Sequence, residues 1–391
     1  MTLIAHLADL HLGYRQYGLL EREGDFYDVF NEAIDLIIQE HVKMVLIAGD
    51  IFHSCRPPIY ALYCMKSSLE RLYSKGVKVY CVLGDHDFPR RVGEYPPTKL
   101  FEGEFLKRVS KENIEIRIDG ESLIITGMDR VPPSLSKECF KELEDLSKQA
   151  QGKSGKRILL THVPSSDTLG GLTLNDLPEN YHYYALGHEH VRQIGNKGLG
   201  VAAYPGSIEI MDYSEVTYWK KEGKGFYIVD LSGPEPDIQR VNLTSIRPQE
   251  IFEISLNEPL EKIEAKISTW LTSQRKKPVL HLLIKDADYS FDPRKLQELA
   301  EILHRKGCLE VRYKRIGLRS GEDIGTSHRI DLAQFNIEQL IRELSSKILL
   351  IEEERELAIQ IYKVSHKDGE EAMKKFILQN APDKTSEACS E

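Results

Sequence analysis

The chain has 391 residues, 41% of them hydrophobic and 29% charged, with a formal net charge of −9. That composition describes a globular protein of two or three domains and excludes a fibrous or low-complexity chain. The acidic balance excludes a uniformly basic nucleic-acid binder, although a metal site with local basic patches can still hold a nucleic acid.

The N-terminus, MTLIAHLAD, lacks a basic region ahead of a cleavable apolar stretch. It therefore reads as a first strand over 3–9, not as a signal peptide. Phe26, Val29, Phe30, Ala33, Ile34 and Ile37 recur at helical spacing and predict a helix near 25–41. The run MVLIAGD predicts a strand over 44–50. RPP at 56–58 suits a helix start, Gly76 suits its stop, and a strand over 77–83 follows. Strand–helix alternation of this kind implies parallel strands with right-handed crossovers. IEIRIDG and SLIITGM predict short strands around a turn, followed by a helix over 134–150. RILLTH, YYALGH, GLGVAAYPGS and GFYIVDLSG predict further strands, so two sheets packed face to face with helices outside are expected.

GPEPD at 233–237 reads as a domain exit, and residues 250–316 repeat a βαβαβ rhythm of their own. The polar segment GLRSGEDIGTSHRIDLA reads as a linker. Beyond it Ile337, Ile341, Leu344, Ile348 and Ile351 follow spacings of four and three. Such a stripe suits a coiled-coil-like seam or a partner's groove, with packing on its own domain as the plainer alternative. The last residues are expected to be disordered. No apolar run reaches the roughly 18 residues of a membrane span. The six cysteines contain no CxxC pair, which fits reduced thiols in a cytoplasmic protein.

The chemistry lies at the strand ends. Five apolar runs deliver Asp9 and His11, Asp50, Asp85 and His86, His162, and His188 and His190, all at the C-terminal end, where open α/β sheets place ligands. Carboxylates and imidazoles in this mixture suit Mn²⁺, Fe²⁺ or Zn²⁺. Asp9, His11, Asp50, Asp85, His162, His188 and His190 are seven candidate ligands, too many for one tetrahedral ion, and suit two ions sharing a carboxylate, the arrangement of metal-assisted phosphoester hydrolysis. A lone Asp or His at a strand end is usually a cap, so the series carries the argument, not any one member. For His53 a structural role and a substrate-facing role stay open. There is no P-loop and no GxSxG nucleophile motif. Tyr14, Arg15, Gln16 and Tyr17 beside the first ligand pair, and Arg90 and Arg91 beside His86, suit phosphate contacts and base stacking. Solvated surface charge is the plainer reading of both loops. Arg312, Lys314, Arg315 and Arg319 form a further cluster open to either reading.

ADLH, GDIFH, GDHD, THV and GHEH resemble the five motifs of the calcineurin-like metallophosphoesterases. HLGYRQYGLLEREGDFYDVF, GDIFHSCRPP and GDHDFPRR narrow the resemblance to the DNA double-strand-break repair nucleases of the meiotic recombination eleven family, called SbcD in bacteria. The motifs cover the first 230 residues, and the remainder is similar in architecture alone. The resemblance implies an α/β fold: a two-sheet metallophosphoesterase sandwich flanked by helices, a small βαβαβ capping domain and a C-terminal helical partner-binding segment. The implied bounds are 1–235 for the nuclease domain, 246–319 for the cap, 320–333 for a linker, 334–379 for an ATPase-binding helical segment and 380–391 for a disordered tail.

Carried over by position, the family pattern implies one ion on Asp9, His11, Asp50 and His190. It implies the other on Asp50, Asp85, His162 and His188, with Asp50 bridging and manganese the usual metal. His86 is implied to contact the scissile phosphate and to help stabilise charge or protonate the leaving oxygen, and His53 to be a second phosphate-side histidine. One departure stands out: Asp85 occupies a position where the family usually has asparagine. The implied function is a dimanganese DNA nuclease, 3′-to-5′ exonuclease and endonuclease, working in double-strand break repair. The implied assembly is a homodimer bound to a coiled-coil ATPase of the ABC/SMC class. The rival readings are a phosphoesterase for small phosphodiesters or phosphoproteins, and a scaffold without catalysis.

Overall fold

The computed structural model describes residues 3–89, 91, 93–166, 171–285, 293–315 and 360. Arg90, Arg319, the linker, the helical stripe of Ile337, Ile341, Leu344, Ile348 and Ile351, and the tail 380–391 lie outside them.

The first half-domain is strand β1 (Leu3–Leu7), helix α1 (Leu20–Gln39), β2 (Met44–Ala48), α2 (Ile59–Ser74), β3 (Lys78–Val82) and the short β4 (Lys107–Arg108). The second is β5 (Glu112–Ile118), β6 (Glu121–Met128), α3 (Ser136–Gln151), β7 (Lys156–His162), β8 (Tyr183–Gly187), β9 (Gln193–Lys197) and β10 (Gly200–Tyr204). Then come α4 (Glu215–Glu222), β11 (Gly225–Asp230) and β12 (Asp237–Asn242). The first sheet has the order β12-β11-β1-β2-β3-β4 and the second β5-β6-β7-β8-β10-β9. Within them β1, β2, β3 and β4 run parallel, as do β6, β7, β8 and β10.

Each central strand is apolar on both faces because both faces are covered. In β2, Met44, Leu46 and Ala48 join Leu123, Ile158, Leu160 and Tyr183 between the sheets. Its alternate residues Val45 and Ile47 pack with Phe30, Ile34, Met65 and Leu69 of the outer helices. On the far side α3 lays Cys139, Leu143 and Leu146 against Leu159, Tyr184 and Leu186. The expected two-sheet sandwich with helices outside is therefore the fold observed.

A smaller parallel sheet follows, formed by β13 (Gln249–Ile254), β14 (Val279–Ile284) and β15 (Glu310–Arg315). Helices α5 (Leu260–Leu271) and α6 (Pro293–Arg305) connect its strands. This is the second βαβαβ rhythm read from the sequence.

Three details differ from expectation. Helix α1 starts at Leu20, ahead of the predicted 25, because its first inward face is polar. Arg22 and Asp25 are buried there as an ion pair at 2.6 Å, which apolar periodicity cannot reveal. The exit expected at 233–237 is instead the connection of the β11–β12 hairpin, so the first sheet extends to Asn242. Strand β12 is hard to see in the sequence because DIQRVN is largely exposed and has little apolar alternation. Helix α4 is equally hard to see, since Glu215 and Val216 are its only buried residues.

His6 of β1 is fully buried between the sheets, 2.8 Å from the Tyr183 hydroxyl, and burial pushes its pKa from 6.5 down to about 3. The unfolded chain therefore binds the extra proton first, and this group costs stability as pH falls below 6.5. At pH 5 that cost is about 2 kcal/mol. The wild type should lose about that much more stability than His6→Gln between pH 7.5 and pH 5. Urea unfolding in chelator measures it, and equal losses in both proteins would refute the assignment.

Candidate metal centre

The parallel strands β1, β2 and β3 of one sheet and β7 and β8 of the other deliver their terminal loops to one edge. There the chain bends sharply. Among the described residues, four of the eight non-glycine positions with positive φ are Asp9 (52°), His11 (44°), Asp50 (49°) and His188 (100°). Such conformations cost on the order of 1–3 kcal/mol each and persist where surrounding structure enforces them. The enforcement is visible: Asp9 N–H donates to Gly49 O at 3.1 Å, His11 N–H to Asp50 O at 2.9 Å and Leu12 N–H to Ile51 O at 3.0 Å. Two glycines permit the crowding. A Cβ on Gly84 would lie 2.2 Å from Asp50 Oδ1, and one on Gly187 would lie 1.9 Å from Ala48 O.

All seven sequence-predicted ligand residues meet here. Donor atoms of Asp9, His11 and His190 lie within 4.8 Å of one another, as do those of Asp85, His162 and His188. Asp50 Oδ2 sits 3.7 Å from both His11 Nε2 and His162 Nε2, between the two groups. His11 Nε2 is 3.3 Å from His190 Nε2, and Asp85 Oδ2 is 3.3 Å from His188 Nδ1.

The donor set fits a cation. His162 Nδ1–H donates to Ala48 O at 2.8 Å, which leaves the Nε2 lone pair aimed inward. That buried Nε2 has no hydrogen-bond partner. Burial holds the pKa of both His11 and His162 below the usual range, so both present neutral, ligating imidazoles. Burial, and then the neighbouring Asp50 carboxylate, push Asp9 well above the usual range. A buried acid cluster of this kind asks for positive charge. Burial opposes charge on Asp85 too, but His188, His162 and Arg130 hold its pKa down to about 2.

His86 Nδ1–H donates to His53 O at 2.8 Å, which leaves Nε2 free on an exposed ring. Tyr14, His53 and His86 form a ring stack, with centroids 3.9 Å and 4.9 Å apart. Burial pushes His53 down to about 4, so it is neutral at ordinary pH. His53, Asp85, His86 and Arg91 line an open cavity of about 360 Å³ beside the cluster.

The loop expected to touch nucleic acid divides. Arg15 is exposed but paired with Glu23 at 2.8 Å. Tyr14 has one face on His53, and Tyr17 lies under the Arg312 guanidinium, 5.0 Å from ring centroid to Cζ. Gln16 corrects the sequence reading. Its side chain is buried, donates to Met211 O at 2.7 Å and accepts from Arg22 Nε at 2.8 Å. Both amide ends are occupied within the protein, so it holds the loop and offers nothing to a ligand.

Several supporting residues lie outside the predicted site residues. Asp87 is buried and accepts from Ile51, Phe52 and Gly84 N–H groups at 3.2, 3.1 and 3.0 Å, fixing two ligand loops at once. Glu215 faces His190 Nδ1 at 3.3 Å and pairs with buried Lys224 at 2.8 Å, which sets the ring's orientation. Arg130 pairs with Asp85. Two of these had a signal to find: Asp87 lies in the GDHD ending, and MDR closes β6 in Asp129 and Arg130, a sixth apolar run with a charged ending.

The calcineurin-like phosphoesterase family matches residues 2–192. The DNA double-strand break repair protein Mre11 of Methanocaldococcus jannaschii is 37% identical over 274 residues, 67% of this chain and 73% of that protein. The protein of the same name from Sulfurisphaera tokodaii is 35% identical over 291 residues, 73% of each chain. The one from Methanococcus maripaludis is 31% identical over 353 residues, 86% of this chain and 89% of its own. With the two-sheet sandwich and the convergent aspartates and histidines, these likenesses place the chain in the Mre11 family of calcineurin-like phosphoesterases, as a metal-dependent phosphodiesterase.

Proposed function

We propose that this chain is a DNA nuclease of double-strand break repair, with 3′-to-5′ exonuclease and endonuclease action, working with two Mn²⁺ ions. The observation that carries the reading is the meeting of seven ligand-type side chains beside an open cavity lined by His53 and His86. Asp9, His11, Asp50 and His190 hold one ion, and Asp50, Asp85, His162 and His188 the other. Two bound divalent cations would supply Lewis acidity and an acidified water. The chain's own residues do the rest. His86, held by the His53 carbonyl, keeps Nε2 available to bind a phosphate oxygen or to give a proton to the leaving oxygen. Arg91 on the cavity rim attracts the backbone phosphates.

The assembly reading is a homodimer acting with a coiled-coil ATPase of the ABC/SMC class in the cytoplasm. Ile59, Tyr60 and Tyr63 are 85%, 58% and 63% exposed on α2, a concentration of apolar surface that suits a second copy. The segment 334–379, outside the described residues apart from residue 360, carries the proposed ATPase contact. Among the described residues no helix is long and apolar enough to cross a membrane.

Digestion of end-labelled duplex DNA by the purified chain, with manganese or with chelator, tests the reading. Manganese-dependent shortening is expected. Cleavage of a small phosphodiester without any attack on DNA, despite two bound ions, would overturn it in favour of the small-substrate rival.

A further inference from the structure

We propose that Arg130 is a positioning residue that makes Asp85 a one-oxygen, charge-compensated ligand; the inference rests on the dimetal reading above. The Arg130 guanidinium pairs with Asp85 Oδ1. The other oxygen, Oδ2, is the one turned to His188 Nδ1 at 3.3 Å and His162 Nε2 at 3.7 Å. The two oxygens are thus divided, one for the arginine and one for the histidine side of the cluster.

The arginine is itself fixed by backbone. Arg130 N–H donates to Leu83 O at 2.8 Å, and Leu83 N–H donates to Asp129 Oδ1 at 2.7 Å. Asp129 is held in turn by the Arg108 guanidinium and the Ser110 hydroxyl. The end of β6 and the loop leaving β3 are therefore joined at two successive residues, and Arg130 reaches Asp85 from a rigid base.

The consequence is electrostatic. Asp9, Asp50 and Asp85 would crowd three carboxylates around the ions, with buried Asp87 close behind. A free aspartate at 85 would bring a full charge and two oxygens, bind the ion tightly and weaken its pull on a phosphate. Paired with Arg130, it brings one oxygen and no net charge, as a neutral amide would. The side chains are 34% and 32% exposed, so water screens part of the effect. Changes of about tenfold in ion affinity are expected, the low end for residues that support a ligand.

Opposite changes in ion affinity test this, with Mn²⁺ titrated calorimetrically into metal-free wild type, Arg130→Gln, Asp85→Asn and the double variant. Arg130→Gln should tighten the weaker ion about tenfold and lower kcat. Asp85→Asn should weaken it by a similar factor, because the guanidinium is left facing the ion. The double variant, which keeps neither charge, should return to within about twofold of wild type, because the two opposite changes cancel. Arg130→Lys, which keeps the charge, should stay near wild type. A double variant displaced from wild type as far as either single variant, or unchanged ion affinity in Arg130→Gln, would overturn the proposal. So would a raised KM for DNA at unchanged affinity, which would mean that Arg130 meets substrate directly. Wild type that binds fewer than two ions overturns the dimetal reading and this one with it; two ions with unchanged affinity in Arg130→Gln overturns this one alone.

Discussion

Replacing His86 by alanine is expected to lower DNA hydrolysis by about 10² to 10⁴, the usual worth of one positioned acid or base, while both ions still bind. The structure separates the two properties. His86 lies outside both ligand groups built around Asp50, and its side chain is held by the His53 carbonyl at 2.8 Å. Its backbone N–H donates to Asp50 Oδ1 at 2.8 Å, and alanine keeps that bond. The ligand loops should therefore survive the change, and the loss should fall on kcat. Single-turnover hydrolysis beside calorimetric Mn²⁺ titration measures both quantities. Loss of one ion in the variant would make His86 a ligand, a role left open by the closeness of His11, His53 and His86 donor atoms. Full activity would remove His86 from the reaction altogether.

How much of this is legible in the sequence follows a physical line. Strands covered on both faces are apolar throughout, so MVLIA and RILLTH announce themselves, and their polar endings stand out against the run. Because parallel strands share a direction, endings far apart in the chain meet at one edge. That is why all seven ligand candidates can be named from sequence. What stays hidden depends on partners that no local pattern encodes. Gln16 sits in a polar loop like any surface glutamine, and its burial rests on Met211, 195 residues away. Glu215 acquires its role from His190 and Lys224, and the start of α1 from Arg22 meeting Glu209 at 3.2 Å. Such groups pair across the fold, and sequence spacing shows only neighbours along the chain.

Asp50→Asn should remove both ions and all measurable hydrolysis, yet leave the metal-free protein more stable than wild type. Asp50 stands between the two ligand groups, its Oδ2 equidistant at 3.7 Å from His11 and His162. An amide can still accept the His86 N–H through its oxygen, but it then turns an NH₂ group toward both ions. Metal-free stability rises for a separate reason. The Asp9 carboxyl is raised above its usual range by burial and then by the Asp50 charge. A carboxyl raised in the folded state costs stability once pH passes its unfolded value, so removing the like charge returns part of that cost at neutral pH. Wild type should gain about 2.7 kcal/mol from each ion at a hundredfold excess over its Kd, and the Asp50→Asn variant should gain almost none. The two proteins should therefore change order: the variant melts higher in chelator and lower in manganese. Thermal unfolding under both conditions decides it. A variant that melts below wild type in chelator would refute the like-charge cost, and one that manganese stabilises as much as wild type would refute the proposed bridging role of Asp50.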